Sequence, residues 1–329
     1  MTANKTFSLY SEVEKEDIDW LWFPYIPYGK ITVLQGDPGD GKSTCMINIA
    51  ASLSKGGTLI NGVGFDTAQN IIYQCAEDSV SDTIKPRFEK AGADCSKIAF
   101  IDNEHMPLSL LDPRIEEAVK QLHVRLLVFD PIQAFFVDKE NMQSANKMRE
   151  ILSQLGMLAE KYNCAVVLIG HMNKSEKGKQ LYRGLGSIDI AAIARSVLMI
   201  TRDKRNSSVR YISQIKNNLG PEGCQIAFIL NEVFGFQWIG KCIADNESDV
   251  DLLSQEKTTK LSQAKELLKI MLSYEPMPSK EVIKKLSSLN IKERTVRNAV
   301  KELDIKAYRK KNVWYWHIEK DETKEDEQH

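Results

Sequence analysis

Nine consecutive residues near the start of the chain, GDPGDGKST at positions 36–44, have the spacing of a phosphate-binding loop. The loop follows the apolar run 31–34 and leads into the sequence CMINIA, which suits a helix. Its glycines allow backbone N–H groups to turn toward an anion at the helix N-terminus. Because this strand–loop–helix context is the one that the motif requires, the sequence predicts a site for a nucleoside triphosphate.

The side chains at the end of this loop have separate expected roles. Lys42 is expected to reach the β- and γ-phosphates, and the hydroxyl of Ser43 to bind Mg²⁺. The predicted cofactors are therefore ATP and Mg²⁺. The whole loop contributes ligands for the nucleotide, through its backbone or its side chains: Gly36, Asp37, Pro38, Gly39, Asp40, Gly41, Lys42, Ser43 and Thr44.

Acidic residues follow two further apolar segments that are typical of buried strands. Asp130 ends the segment 126–130, where it can hold a water of the Mg²⁺ shell. Glu77 and Asp78 follow the segment 71–75, where an acid would face the γ-phosphate and deprotonate the attacking water. Glu77 is the preferred candidate for this general base. Asp78 is the alternative, unless it caps the helix that follows.

Polar residues also follow the apolar segment 165–169. His171 is the candidate for a hydrogen bond to the γ-phosphate that senses its loss. The next loop, residues 174–183 (KSEKGKQLYR), is basic and has few apolar residues with which to bury itself. We expect it to contact DNA, with a simple surface loop as the alternative. Its cations are Lys174, Lys177, Lys179 and Arg183.

The elements that would position these residues alternate between strand and helix from residue 30 onward. This order predicts an α/β fold with a mostly parallel sheet that helices cover, extended by an antiparallel meander. The predicted strands lie at 31–34, 71–75, 98–101, 126–129, 165–169, 197–201, 209–215, 224–230 and 234–238. The predicted helices lie near 79–91, 113–122, 144–162 and 187–194.

Of the 329 residues, 43% are hydrophobic and 27% charged, which is ordinary for a soluble globular protein. No apolar stretch approaches the ~20 residues that span a bilayer, and the polar, acidic N-terminus does not resemble a signal peptide. Six cysteines stand singly, which favours buried, reduced thiols over disulfides or a zinc site. We therefore expect a cytoplasmic protein without a membrane segment.

Changes in composition predict five parts of the chain. An aromatic-rich leading segment is expected to pack on the core of an ATPase domain. A polar stretch without periodicity separates that domain from a shorter helical one, and the chain ends in an acidic tail. The parts are the leading segment (1–29), the ATPase domain (30–240), a linker (241–258), a winged-helix domain (259–318) and the tail (319–329).

The predicted winged helix-turn-helix combines three short helical patterns with two strand-like pieces. Residues 257–318 hold twelve Lys and three Arg against five Glu and one Asp, a net charge of +9, whereas the whole chain has a net charge of −1. This basic module favours DNA as a partner, with protein docking as the alternative. The predicted DNA contacts come from the last helix and the turn between the strands: Arg294, Arg297, Lys301, Lys310 and Lys311.

Taken together, these motifs resemble those of the RecA-like ATPases. Within them they are most similar to the RepA-type hexameric helicases and their phage and mobile-element relatives. The resemblance covers roughly residues 20–240 and rests on the stretches GDPGDGKST, QCAEDS, LLVFDPI, IGHMNK and YRGLGSIDIAAIARS.

The resemblance assigns a role to each candidate site residue. Lys42 and Ser43 bind phosphate and Mg²⁺, and Glu77 activates water. Asp130 serves the metal, and His171 contacts the γ-phosphate.

RecA-like rings place the nucleotide between subunits, where a cation of the neighbour completes the site. The resemblance therefore implies a homo-oligomer, with a hexameric ring favoured. Lys216 lies where such rings carry an arginine finger and is the first candidate. Family members often show an arginine near this position, where this chain has Asn218, which leaves the identity of the finger open. The competing candidates, for which salt bridges are the alternative role, are Arg87, Arg195 and Arg202.

The predicted function is Mg²⁺-dependent ATP hydrolysis by a ring- or filament-forming RecA-like ATPase that acts on DNA. Helicase or translocase action in replication or recombination of a mobile element is the favoured biology. The alternative is an ATP-gated, oligomerising DNA-binding regulator with slow hydrolysis, of the KaiC-like or silencing type. A small-molecule kinase fits poorly, because the sequence shows no lid or acceptor pocket.

Overall fold

The structure is a computed structural model that describes residues 7–60, 64–103, 106–136, 145–171, 188–204, 206–231, 235–242, 260–272, 276–288 and 291–318. Within these residues the strands are β1 (Trp20–Trp22), β2 (Ile26–Pro27), β3 (Ile31–Gly36), β4 (Asn70–Cys75), β5 (Ile98–Ala99), β6 (Val124–Asp130), β7 (Ala165–His171), β8 (Ser196–Arg202), β9 (Val209–Asn217), β10 (Gln225–Asn231), β11 (Gly235–Cys242), β12 (Met277–Pro278), β13 (Lys306–Lys310) and β14 (Val313–His317). The α-helices are α1 (Lys42–Ser54), α2 (Lys85–Lys90), α3 (Pro113–Leu122), α4 (Ala145–Lys161), α5 (Ile188–Ile193), α6 (Lys260–Leu272), α7 (Ser279–Ser288) and α8 (Glu293–Glu302).

The main sheet has nine strands in the order β11-β10-β9-β8-β3-β7-β6-β4-β5. β3 lies near the centre, where β7 and β8 both pair with it in parallel. All of its residues are buried, as expected for a strand covered on both faces. β6, β4 and β5 continue the parallel part, and antiparallel strands extend the sheet on the β9 side. The predicted α/β fold with a mostly parallel sheet is therefore confirmed.

Helix α3 shows how the sequence determines where a helix between two strands begins and ends. The side chain of Asp112 accepts a hydrogen bond from the backbone N–H of Arg114 at 2.9 Å, and Pro113 occupies the first turn. The helix ends at His123, which adopts a left-handed conformation with φ 50°. Its apolar face, including Ile115 and Val119, is buried in the core beneath the sheet. The cap, the apolar face and the C-terminal turn thus fix both ends of the helix.

The leading segment packs on the sheet through its second half. Trp22 and Tyr25 are almost fully buried, and the Tyr25 hydroxyl donates to the backbone oxygen of Cys224 at 2.7 Å. Burial is the main cause that raises the pKa of Tyr25 to about 12. Residues 7–19, in contrast, are exposed. Within the described part of this segment, residues 7–29, only the portion next to β1 and β2 therefore contributes to the core.

Near the C-terminus, α6, α7 and α8 form a small core together with a three-stranded sheet of order β12-β14-β13. Leu268, Val282, Val296 and Trp316 are among its buried residues. β12 was not predicted from the sequence, because a strand of two residues carries no detectable periodicity. The assignment of this arrangement as a winged helix stays a prediction.

The chain divides into two compact units. One comprises Met1–Thr201, Arg210–Ala227 and Gly240–Cys242, and the other comprises Arg202–Val209, Phe228–Ile239 and Ile243–His329. Among the described helices, none combines the length and apolarity needed to cross a membrane. Five cysteines have free thiols, as expected: Cys45, Cys75, Cys95, Cys164 and Cys224. The expectation that these thiols are buried was wrong for Cys95 and Cys224, which are exposed.

Candidate nucleotide-binding site

The phosphate loop joins β3 to α1 and depends on glycine at three positions. Gly39 and Gly41 have φ angles of 80° and 89°, which side chains disfavour, and Gly41 is the N-cap of α1. A Cβ on Gly36 would lie 2.5 Å from the backbone oxygen of Ile200 on the neighbouring strand. The first glycine is therefore required by sheet packing, and the other two are required by the turn itself.

Lys42 lies at the start of α1 with only 4% of its surface exposed. Its ammonium donates to the backbone oxygens of Gly36 and Asp37, both at 2.9 Å. Burial lowers the pKa of Lys42, and nearby carboxylates oppose that shift. These carboxylates belong, in order of effect, to Asp40, Asp130, Asp37 and Glu77. A buried cation therefore lies within electrostatic reach of Asp130 and of Glu77, the preferred candidate for the general base.

The rest of the loop combines exposed and buried residues. Asp37, Pro38 and Gly39 are exposed at its crest, whereas Asp40 is buried and its carboxylate accepts from the backbone N–H of Asp37 at 3.2 Å. This side-chain bond braces the turn. Ser43 and Thr44 are partly exposed in the first turn of α1.

Asp130 ends β6 with 5% of its surface exposed. The hydroxyl of Tyr73, on β4, donates to its carboxylate at 2.7 Å. The backbone N–H of Ala76 donates to the Asp130 carbonyl at 3.0 Å, so the ends of β4 and β6 are joined. The pKa of Tyr73 is raised well above its ordinary value, mainly by burial and next by the charge of Asp130. The hydroxyl therefore stays protonated and remains a hydrogen-bond donor. The Asp130 carboxylate is therefore held in one orientation.

The two acids after β4 have different surroundings. The carboxylate of Asp78 accepts from the guanidinium of Arg87 at 2.6 Å, in a half-exposed ion pair. Glu77 is exposed, and its charge acts on Lys42. Asp78 is thus committed to a partner in its own chain, as is Arg87, one of the competing finger candidates.

β7 lies between β3 and β6, so its carboxyl end reaches the same edge of the sheet as the phosphate loop and Asp130. The backbone of His171 pairs with Gly36, at the start of the loop. Lys174, Lys177, Lys179 and Arg183 lie outside the described residues.

These surroundings fit ATP and Mg²⁺. The loop offers backbone donors, a helix N-terminus and Lys42 to phosphates, while Ser43 and Asp130 supply oxygens that suit Mg²⁺. Within the described residues, no group of three His, Cys, Asp or Glu side chains could hold a metal ion by itself. Because Mg²⁺ usually takes one or two protein carboxylates and fills its shell with substrate phosphates and water, Asp130 with Ser43 is a suitable donor set.

Lys216 lies at the other end of the strands. Its ammonium donates to the backbone oxygen of Ala192 at 2.9 Å, just before the start of β8, whereas the phosphate loop follows the end of β3. Burial and the neighbouring charge of Arg195 lower the pKa of Lys216. Lys216 therefore cannot complete the site of its own chain. Arg195 and Arg202 are exposed.

The predicted DNA-contact residues near the C-terminus lie in the other unit and are all exposed: Arg294, Arg297, Lys301, Lys310 and Lys311. The apolar residues on the opposite side of α8, Val296 and Ala299, are buried. Arg297 is paired with Glu293 one turn earlier, at 2.7 Å.

Sequence reasoning missed Tyr73 as a member of the site. The sequence signal available is the two-residue spacing of a strand, which puts Tyr73 on the same face as Cys75. In the structure, Cys75 pairs with Asp130. The hydroxyl's contact with Asp130 becomes evident only once the two strands are adjacent.

The sequence is similar to that of several known proteins. A family model, AAA_25, described as an AAA domain, matches residues 4–177. The chain is 26% identical over 148 residues to the DNA repair protein RadA of Streptococcus pneumoniae, covering 44% of this chain and 31% of that protein. It is also 26% identical over 202 residues to RadA of Chlamydia pneumoniae, covering 59% and 38%. The chain thus spans about a third of the length of these relatives.

Among solved structures, the crystal structure of the RadB recombinase aligns with 64% of this chain and 91% of its own, with a TM-score of 0.46 and 16% identity.

Proposed function

The chain belongs to the AAA domain family, whose model matches residues 4–177, and we propose that it is a Mg²⁺-dependent ATPase that acts on DNA as an assembly of several copies. The observation that carries this proposal is the buried ammonium of Lys42, held at the phosphate loop within reach of Asp130 and Glu77. A buried cation beside an N-terminal helix turn is suited to a polyphosphate. Asp130 at the end of β6 and Glu77, just after the neighbouring strand β4, are suited to its hydrolysis.

In this proposal each side chain has one task. The loop amides and Lys42 bind the phosphates, and Mg²⁺, when bound, would neutralise part of the phosphate charge. Asp130 and Ser43 hold the metal, and Glu77 orients and deprotonates the attacking water. The proposed role of His171, whose backbone pairs with Gly36, is to contact the γ-phosphate.

The transition-state cation is proposed to come from a second copy of the chain. Lys216 contacts the backbone oxygen of Ala192, just before the start of β8, at the end of the strands away from its own phosphate loop. Arg87 is engaged by Asp78 of its own chain. Hydrolysis would then need an assembly, with Lys216 as the first candidate for the contributed cation and a ring as the favoured form.

DNA is proposed as the partner for two reasons. The relatives that match are named DNA repair proteins, and the chain carries a helix with exposed cations on one side and a buried apolar face on the other. We propose that the C-terminal unit is a winged helix that presents α8 to DNA. Helicase or translocase action for a mobile element is the more specific form of this proposal.

An ATP-gated DNA-binding regulator with slow hydrolysis is the second candidate. It is favoured by Asn218, which stands near Lys216 where the resemblance to ring-forming RecA-like ATPases implies an arginine. The backbone N–H of Asn218 is bonded to the Arg195 carbonyl at 2.9 Å.

The experiment that tests the proposed function measures ATP turnover over a range of protein concentrations, with and without single-stranded DNA, alongside the mass of the particle in solution. We expect turnover per protomer to rise with protein concentration and with DNA, in parallel with assembly, because the site is incomplete in one copy. Assembly with ATP but negligible turnover would favour the regulator. Full turnover by a single protomer would contradict the proposed assembly.

Tyr73→Phe tests the metal role of Asp130. The change removes the hydroxyl that fixes the carboxylate but keeps the ring, which packs edge-on against Phe88 with the centroids 5.3 Å apart. We expect the Mg²⁺ concentration for half-maximal turnover to rise about 10-fold, as is typical when a partner of a metal ligand is lost.

Tyr162→Phe is the matched control, because it also removes a tyrosine hydroxyl bonded to a carboxylate, that of Glu116 at 2.9 Å, at a place remote from the loop. Its Mg²⁺ requirement should match the wild type. An unchanged Mg²⁺ requirement in Tyr73→Phe would show that Tyr73 serves packing alone.

A further inference from the structure

The β13–β14 hairpin has two chemically different faces. Cross-strand partners share a face, so the register divides the hairpin residues into two sets. Trp316 is 6% exposed in the small core with α6, α7 and α8, which makes its face the inner one. The outer face carries the other set: Lys306, Tyr308, Lys310, Val313, Tyr315 and His317.

The outer face presents aromatic rings between its lysines, whereas a solvated sheet face usually carries polar side chains alone. Tyr308 and Tyr315 lie nearly parallel, with an interplanar angle of 15° and centroids 5.6 Å apart. His317 meets Tyr308 edge-on at 5.7 Å. Tyr308 is 38% exposed and Val313 is 39% exposed. The rings therefore form a strip that leaves part of its π-surface accessible.

The charge of the hairpin itself is positive. Residues 305–318 contain four cations and no acidic residue. Lys306 and Lys310 lie on the outer face itself, and Lys311 lies in the tight turn, where it and Asn312 have positive φ angles. Lys306 also pairs with Asp304 at 2.6 Å, just before the strand.

We propose that this outer face is a stacking platform for single-stranded DNA, an inference that rests on the proposed function because it specifies the form of DNA bound. Aromatic rings with flanking cations are the combination that binds exposed bases and their phosphates. A duplex hides its base faces within the stack, so exposed rings are suited to a single strand. Helix α8, by contrast, is the element proposed for duplex DNA.

The platform is tested in the full-length protein by fluorescence anisotropy with a labelled oligothymidylate and with a duplex of the same length. Tyr308→Leu keeps an apolar strand residue but removes the π-face, and we expect roughly 10-fold weaker binding of the single strand. Tyr308→Phe keeps the ring and should bind as the wild type does. Affinity for the duplex should change less than 2-fold in both variants.

Trp314→Leu is the matched control, because Trp314 is a more accessible aromatic of the same hairpin, 53% exposed against 38% for Tyr308, on the opposite face. Its affinity for the single strand should match the wild type. Thermal unfolding monitored by circular dichroism should show that Tyr308→Leu and Trp314→Leu have similar stability.

Two results would overturn the platform while leaving the proposed function intact. One is wild-type affinity for the single strand in Tyr308→Leu, and the other is an equal loss of single-strand and duplex binding. If the wild-type protein bound neither DNA form, the DNA part of the proposed function would fail first, and the platform with it.

Discussion

Lys42→Ala is expected to weaken ATP binding at least 100-fold, which corresponds to about 2.7 kcal/mol. The ammonium is buried and held by two loop carbonyls, so a bound phosphate would meet a cation that is already oriented and partly desolvated. Hydrogen bonds between a buried charge and an ionised oxygen contribute about 1.5–3 kcal/mol each. Calorimetric titration with Mg·ATP measures the loss directly.

Lys30→Ala is the matched control for this change. Lys30 precedes β3 on the same segment of chain, but its ammonium forms a surface ion pair with Glu160 at 2.7 Å. Surface pairs of this type contribute about 0–1 kcal/mol to stability, and this one lies away from the loop. ATP affinity should therefore stay within 2-fold of the wild type. If Lys42→Ala bound ATP as tightly as Lys30→Ala, the assignment of the phosphate loop would be refuted.

The local parts of the site are predictable from the sequence because their ligands are consecutive. Glycines at fixed positions between an apolar strand and a helix predict that residues 36–44 form a phosphate-binding loop. In the structure, Gly39 and Gly41 have the positive φ angles that this loop requires. The acids after the strands are predictable in the same way, since a carboxylate that follows an apolar strand lies at the carboxyl edge of the sheet. The order of the strands in the sheet then determines which of these acids become neighbours.

Contacts between distant residues are not predictable in this way. The Tyr73 hydroxyl and the Asp130 carboxylate lie 57 positions apart, and their contact depends on the pairing of β4 with β6. Likewise, the sequence indicates that Lys216 is a cation near a strand end. It does not indicate which end of the sheet Lys216 occupies or that its ammonium contacts Ala192.

The sequence also does not predict which side chains of the leading segment are buried. Trp22 and Phe23 are adjacent aromatic residues, yet Trp22 is 1% exposed and Phe23 is 57% exposed. Composition gives the same expectation for both. Their difference arises because the β1–β2 hairpin turns one ring toward the sheet and the other toward solvent.

Glu77→Gln is expected to lower ATP turnover at least 100-fold while ATP affinity stays within about 3-fold of the wild type. A positioned general base contributes about 10²- to 10⁴-fold to the rate, and glutamine keeps the shape but cannot accept the proton. Glu77 is exposed and lies just beyond the end of β4, near enough for its charge to act on Lys42. Single-turnover kinetics with saturating ATP separate the chemical step from binding.

Asp78→Asn is the matched control, because it makes the same chemical change one residue further along. It disrupts the half-exposed ion pair with Arg87, which should cost little stability and leave turnover within a few-fold of the wild type.

The two variants together decide between the two acids. If Glu77→Gln remained active while Asp78→Asn lost turnover, the general base would be Asp78, and the Arg87 guanidinium would have to release it during each cycle. That reversal would make Arg87 a regulator of catalysis within its own chain, leaving Lys216, Arg195 and Arg202 as the candidates for the cation that a neighbouring copy supplies.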